Sequence, residues 1–377
     1  MVTMSTTDPR PGPGPHGAAA HPATGPRQPG TLPHRQSPGR PAGAKRHGTG
    51  RRVLGLVAAA ALLGAAIVLA LAVGARHLPV PEIWAALRGR PVAQEVRVVM
   101  DLRLARTAVG LVAGMGLATS GALVQAVTRN PLADPGILGT TAGAAFAVAM
   151  VAGLSGLDSQ LGLLLAAFLG AAAATVGVHA IGSLGPNGGN PVQLVLARTA
   201  LGAVLNGITS GLVLSDPQRF TVMQAWRAGS LADRGWAGLP PALPFLLLGL
   251  LLALAIAGSL NAIALGDDLA TALGANVALV RTLTLVAVTL LAGTATALAG
   301  PIAFVGLMVP HAARRICGPD QRWILAFSLV LGPALLLLAD VLGRVVMPPG
   351  ELAAGIVTAF LGAPVLIWLA RGRLVEL

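Results

Sequence analysis

Residues 107–128 read TAVGLVAGMGLATSGALVQAVT, and residues 129–136 continue RNPLADPG. The first stretch carries no charged side chain and is long enough to cross a hydrocarbon core, which takes about 20 residues of helix. The second is a short polar loop punctuated by two prolines. Val53 to Ala75 and Leu352 to Ala370 are further uncharged runs of the same kind. In lipid only helices and closed barrels pair all their backbone groups, and these runs lack the period-2 alternation of barrel strands. The fold class is therefore an all-α integral membrane protein, and its function is to be sought in the polar segments between spans.

Composition agrees. The chain is 54% hydrophobic and 11% charged, whereas soluble domains are about a quarter charged. Its one cysteine, Cys317, excludes an intramolecular disulfide and any cysteine-based metal site. Gly110 and Gly114 form a GxxxG pair, which is either a close helix contact or a by-product of an Ala/Gly-rich composition.

Charges and turn signals divide the chain into about ten spans, near 53–75, 104–128, 137–157, 160–182, 192–214, 240–262, 280–299, 303–317, 322–341 and 352–370. The uncharged stretch from Thr282 to Ala313 is too long for one crossing, and Gly300-Pro301 is its natural break. The piece that follows is a short span or a re-entrant segment.

Residues 1–50 form one unit and 51–377 the other. The first is rich in Pro, Gly and His and carries Arg10, Arg27, Arg35, Arg40, Lys45 and Arg46 against Asp8 alone. With Arg51 and Arg52 these hold more than half of the net charge of +12. Such a tail reads as disordered, cytoplasmic and held at an anionic lipid surface, with no nucleic-acid role. It is too long and polar for an ordinary cleaved signal peptide. An even span count then puts both termini in the cytoplasm. That orientation leaves Arg129, Arg281, Arg314 and Arg315 inside, and Arg103, Arg106, Arg227, Arg234 and Arg344 outside.

Three segments carry information. In the loop 129–136, Asp134 is placed to cap the next helix with Pro135 at its first position. In Leu265-Gly266-Asp267-Asp268-Leu269-Ala270-Thr271-Ala272-Leu273-Gly274-Ala275-Asn276, Asp267 reads as an N-cap, Gly274 as a stop and Asn276 as a second cap. A helix this short needs support from the spans or from a partner. Asp340 and Arg344 are spaced to pair on one helix face.

Leu102-Arg103-Leu104-Ala105-Arg106, Ser120 to Gln125, Asn130 to Gly136, Gly300 to Arg315, Leu338 to Arg344 and Gly350 to Pro364 together resemble the FecCD-type permeases. These are the membrane subunits of ABC importers for iron–siderophores, haem and vitamin B12. The resemblance covers most of the chain after about residue 95. It departs at Ala105 and Ala353, where proline is usual and helix starts are expected to change, and at Arg198, where glycine is usual. Arg198 either snorkels from the cytoplasmic end of its span or faces the pathway.

The resemblance implies a type II ABC importer permease in the cytoplasmic membrane that moves a ferric siderophore, or cobalamin or haem. The chain has no GxxxxGK[ST] phosphate loop, so ATP hydrolysis is expected in a separate subunit and the chain is not itself an enzyme. No cofactor or metal is expected. Leu265, Gly266, Asp267, Asp268, Leu269, Ala272, Leu273, Gly274 and Asn276 match the element that couples to the ATPase. Arg103, Arg106 and Arg344 match the surface that receives a periplasmic or lipid-anchored binding protein. Asn130, Leu132, Asn190, Pro191 and Val192 match the cytoplasmic gate. A second permease chain, identical or related, completes the pathway. Gln125, Asn206 and Thr209 are polar positions within spans that line that pathway or bond across helices. His179 and His311 have no local ligand partners. An ion-driven transporter is the competing class, with Asp340 as its one intramembrane carboxylate, and no set of groups suits a membrane enzyme.

Overall fold

A computed structural model describes residues 48–371 except 75–77, 91, 155–159, 184–190, 216–222, 225, 233 and 349. The expectation for the N-terminal tail falls outside them, as does Asn190. The main helices are α1 (Thr49–Ala72), α2 (Val80–Leu87), α3 (Gln94–Thr128), α4 (Thr140–Leu154), α5 (Gln160–Ser183), α6 (Pro191–Leu214), α7 (Leu239–Ile263), α8 (Asp267–Ala272), α9 (Val277–Ala299), α10 (Val305–Cys317), α11 (Gln321–Val346) and α12 (Ala354–Arg371). Each of the ten expected spans has its helix. Seven of these are long and apolar enough to cross a membrane, while α4, α10 and α12 are shorter.

Two elements differ from the sequence reading. α3 extends back through Glu95, Arg97, Asp101 and Arg103 to Gln94 and has 35 residues, about 52 Å at 1.5 Å each. Charge ends the lipid-buried part of a helix, not the helix itself. Ala105 therefore lies well inside α3 and not at a helix start; alanine keeps the N–H that proline would lack. α2 went unread because it is only eight residues long. It buries Ile83 among Leu71, Leu78, Val96 and Met100.

α3 is the core of the bundle. Gly114 packs on the backbone of α11 at Gly332 and Pro333, where any Cβ would overlap. Seven residues on, Gly121 meets the Gly306 carbonyl of α10 in the same way. The GxxxG pair is thus a close-packing face, as lipid-embedded helices require when no hydrophobic drive holds them together. At the other extreme, only 11% of the most apolar window of α6 is buried.

The chain leaves α9 at Gly300 (φ 76°) and runs without helix to Phe304, which adopts φ 70°. α10 then starts with Val305 and Gly306 already buried. Its 13 residues reach about 20 Å, short of the roughly 30 Å core. This irregular backbone is tolerated because Ile302 is buried while Pro301 and Ala303 line a cavity, the two settings that suit it in a membrane protein.

Two opposite faces are well defined. On one, Asn261 and Asp320 tie the end of α7 to the start of α11 at 2.9 Å, and Arg52 of α1 approaches Asp320 at 3.9 Å. Arg315 of α10 lies 4.3 Å over Trp368 of α12. α1 therefore begins and α12 ends on the same face. The other face holds the end of α1, the first turns of α3 and the end of α11.

Candidate functional site

Three polar constellations stand out. The first closes the end of α1. Its last carbonyls lack intrahelical donors, and α1 has no basic residue in its last turn. Neighbouring helices supply the cations instead. Arg103 of α3 donates to Leu71 O at 2.6 Å and Ala72 O at 3.1 Å. Arg344 of α11 donates to Ala70 O at 2.8 Å and Val73 O at 2.9 Å. Positive charge there also complements the helix dipole. Arg344 pairs with Asp340 as the i,i+4 spacing foretold, and Arg106 grips both Asp340 oxygens at 2.7–3.1 Å. Arg106 also reaches Glu351 at 2.7 Å. Asp340 is fully buried, and Arg103 and Arg344 are 7% and 6% exposed. The expected docking arginines are thus packed groups that tie α1, α3 and α11 together. They line the floor of a depression of about 450 Å³ that also holds Arg234 and Trp236.

The second constellation is α8. Leu269 on this six-residue helix and Leu265 and Leu273 flanking it are 51%, 63% and 66% exposed, while Ala270 is buried beneath them. Asp267 is not the N-cap. Gly266 occupies that position at φ 117°, outside the range of L-residues, and Asp267 is the first helical residue. Its carboxylate is taken by two arginines: Arg129 from the end of α3, and Arg281 of α9 at 2.8 Å. Arg129 adopts φ 50° and also donates to Ile263 O at 2.8 Å. Gly274 ends the helix at φ 85°, and Asn276 caps α9 by accepting from Leu279 N at 3.0 Å. Asp268, Ala272 and Asn276 are exposed around this knob.

The third is a cavity of about 510 Å³ between α4, α6 and the turn after Met223. Arg198, Gly202 and Asn206 repeat every four residues along α6 and face it, with Thr141, Arg227 and Pro301 among the other walls. The sequence left Arg198 either snorkelling from the cytoplasmic end of its span or facing the pathway, and put Arg227 outside; the structure brings both to one cavity. Residues 226–229, the end of a short helical segment, pack against residues 300–301 because glycines let backbone approach backbone. Gly229 (φ 68°) sits on Pro301 O, and Gly300 on Trp226 O. A loop count of charges carries no signal for such a contact.

Asn130 turns its own loop, its Oδ1 accepting from Leu132 N at 2.9 Å. Asp134 accepts from Gly136 N at 2.8 Å and caps a 3-10 turn, Pro135–Leu138, ahead of α4. Burial holds its carboxyl above the usual value, with the Gly136 N–H and Arg198 opposing. Pro191 and Val192 begin α6. Of the polar candidates within spans, Gln125 bridges helices, donating to Gly306 O at 3.1 Å and accepting from Arg314 at 2.7 Å. Thr209 bonds back to Leu205 O at 2.7 Å within α6. Only Asn206 faces the cavity. Among the described residues no three His, Cys, Asp or Glu side chains cluster as metal ligands.

A polytopic helical bundle with an inner cavity, a buried charge cluster on one face and an apolar knob on the other has the architecture of a membrane permease. The comparisons narrow this. The FecCD transport family model matches residues 62–372. The ferric enterobactin transport system permease protein FepD of Escherichia coli (strain K12) is 47% identical over 312 residues, 83% of this chain and 93% of that protein. The iron(3+)-hydroxamate import system permease protein FhuB of Bacillus subtilis (strain 168) is 40% identical over 323 residues, 85% of this chain and 83% of that one. An inward-facing structure of a metal-chelate type ABC transporter aligns with a TM-score of 0.74 at 27% identity, covering 84% of this chain and 99% of the other. The chain belongs to the FecCD transport family.

Proposed function

We propose that this chain is the permease subunit of an ABC importer that carries a ferric siderophore across the cytoplasmic membrane. Relatives named for ferric enterobactin and iron(3+)-hydroxamate support the cargo class over haem or cobalamin. Energy comes from ATP hydrolysed by a separate subunit. The observation that carries this reading is α8: one exposed leucine on a helix too short to stand alone and two more flanking it are a plug for a partner's groove. Leu265, Leu269 and Leu273 enter that groove, Gly266 and Gly274 set the knob's ends, and Asp267 ties it to α3 and α9. The face bearing α8 is then cytoplasmic, as are both termini.

Asp267 passes the ATPase's movement to Arg129, whose neighbour Asn130 opens the loop assigned with Leu132, Asn190, Pro191 and Val192 to the cytoplasmic gate. On the opposite face, the binding protein docks over the depression floored by Arg103, Arg106 and Arg344. Its acidic groups meet a cluster of three arginines against Asp340 and Glu351. Such charge complementarity guides encounter more than it sets affinity. A second permease chain covers the exposed face of α6 and completes the pathway that Asn206 lines.

The test is reconstitution with the partner ATPase and binding protein. Uptake of an iron-loaded siderophore should require ATP and stop when the ATPase is inactivated. Uptake that continues on an ion gradient without ATPase would overturn the reading.

A further inference from the structure

The cavity beside α6 has a chemistry that passage alone does not demand. Arg198 lies seven residues after Pro191, about 10 Å along α6, and Asn206 lies two further turns on. Arg198 and Arg227 are both exposed in the isolated chain and face this cavity, so their guanidinium groups meet whatever enters it. Among the described residues neither Arg198 nor Arg227 has an ion-pair partner. Among the described residues no carboxylate lines the 510 Å³ cavity they share. Asp134 lines an adjoining cavity of about 240 Å³ with Arg198 and is engaged by the Gly136 N–H. Among the described residues one cation therefore remains without a carboxylate partner even if Asp134 neutralises the other. Clefts lined by charge of one sign raise the local concentration of oppositely charged ligands. Guanidinium groups present planar forks to paired oxygens, as carboxylates and catecholates offer.

We propose that this cavity selects ferric chelates of net negative charge, with Arg198 and Arg227 as the recognising groups. The inference rests on the ferric-siderophore reading and deepens it to a substrate class: anionic tris-catecholate or carboxylate complexes in preference to neutral trihydroxamates. The volume suits such a ligand, since small-molecule sites run from about 300 to 1,000 Å³.

The permease–ATPase complex, in nanodiscs of zwitterionic lipid, is titrated with two radio-iron probes: a trianionic ferric tris-catecholate and a neutral ferric trihydroxamate. Zwitterionic lipid keeps anionic headgroups from occupying the arginines, and omitting the binding protein removes its selectivity. A parallel titration in anionic lipid should weaken catecholate binding if headgroups compete for the same groups. The wild type binds the catecholate more tightly, and added salt narrows the gap. Arg198→Gln with Arg227→Gln lowers catecholate affinity about tenfold or more and leaves the hydroxamate within about twofold. Arg198→Lys with Arg227→Lys keeps much of the preference. Equal loss for both probes, no change for either, or a wild type that prefers the neutral probe overturns the inference. A wild type that neither binds nor imports any iron chelate overturns the cargo reading itself.

Discussion

Replacing Asp340 by asparagine tests whether the charge cluster holds the helix ends together. The side chain is fully buried, with Arg344 on one oxygen and Arg106 on both. Asparagine keeps the shape but leaves two guanidinium groups facing each other over a neutral amide. Removing one member of a buried ion pair costs about 3–5 kcal/mol. Here the lower end applies, because Arg106 retains Glu351 and Arg344 retains Ala70 O and Val73 O. A loss of about 3 kcal/mol corresponds to a drop in Tm of roughly 6 °C at about 2 °C per kcal/mol. Cys317 supplies the assay. It is the sole cysteine and fully buried, so a thiol-reactive fluorophore reports unfolding without competing sites. Glu351→Gln is the control. Glu351 is exposed, and such a pair is worth about 0.2–1 kcal/mol, so its melting curve should shift by about 2 °C at most. If Asp340→Asn melts with the wild type, or no lower than Glu351→Gln, the cluster does not carry the stability assigned to it.

Gly121→Ala should overpack the α3–α10 contact and cost about 1–3 kcal/mol, read as a lower Tm; Gly202→Ala, with nothing within 4 Å of its added Cβ, should leave it unchanged. Leu269→Glu with Leu273→Glu should abolish co-purification with the ATPase while the permease melts normally, because both side chains are exposed in the isolated chain; retained capture would remove α8 from the interface. Replacing Arg103, Arg106 and Arg344 together should slow binding-protein association at low salt by about tenfold and also lower Tm, since two of them cap α1; an unchanged on-rate would count against docking there. Asp134 has a folded pKa raised by burial, so its contribution to stability is present below the ordinary carboxylate value and is lost as pH rises through the folded value. Asp134→Asn keeps the acceptor for Gly136 N–H and should melt at or above the wild type at neutral pH, with the advantage fading on acidification; a variant that melts lower at neutral pH and equal in acid would reverse that sign.

Apolar runs, divided by charges and turn signals, were enough to place about ten helices, seven of them long enough to span, because in lipid every backbone group must be paired. Local turn chemistry was equally legible at Gly274, Asn276 and the Asp340–Arg344 spacing, since each is settled within a few residues. The membrane embedding of Val53 to Ala75 was written in its composition, yet the capping of that helix by Arg103 and Arg344 was not. Those partners lie some thirty and more than 270 positions away, and no local pattern records which helix end they reach. Asp267 was misread as a cap for the same reason: two arginines from other helices take its carboxylate. The placement of residues 226–229 depends on backbone contact between Gly229, Gly300 and Pro301, which only packing creates. Arg198 and Arg227 therefore meet by tertiary structure alone, whereas the membrane and its helices follow from the order of apolar residues.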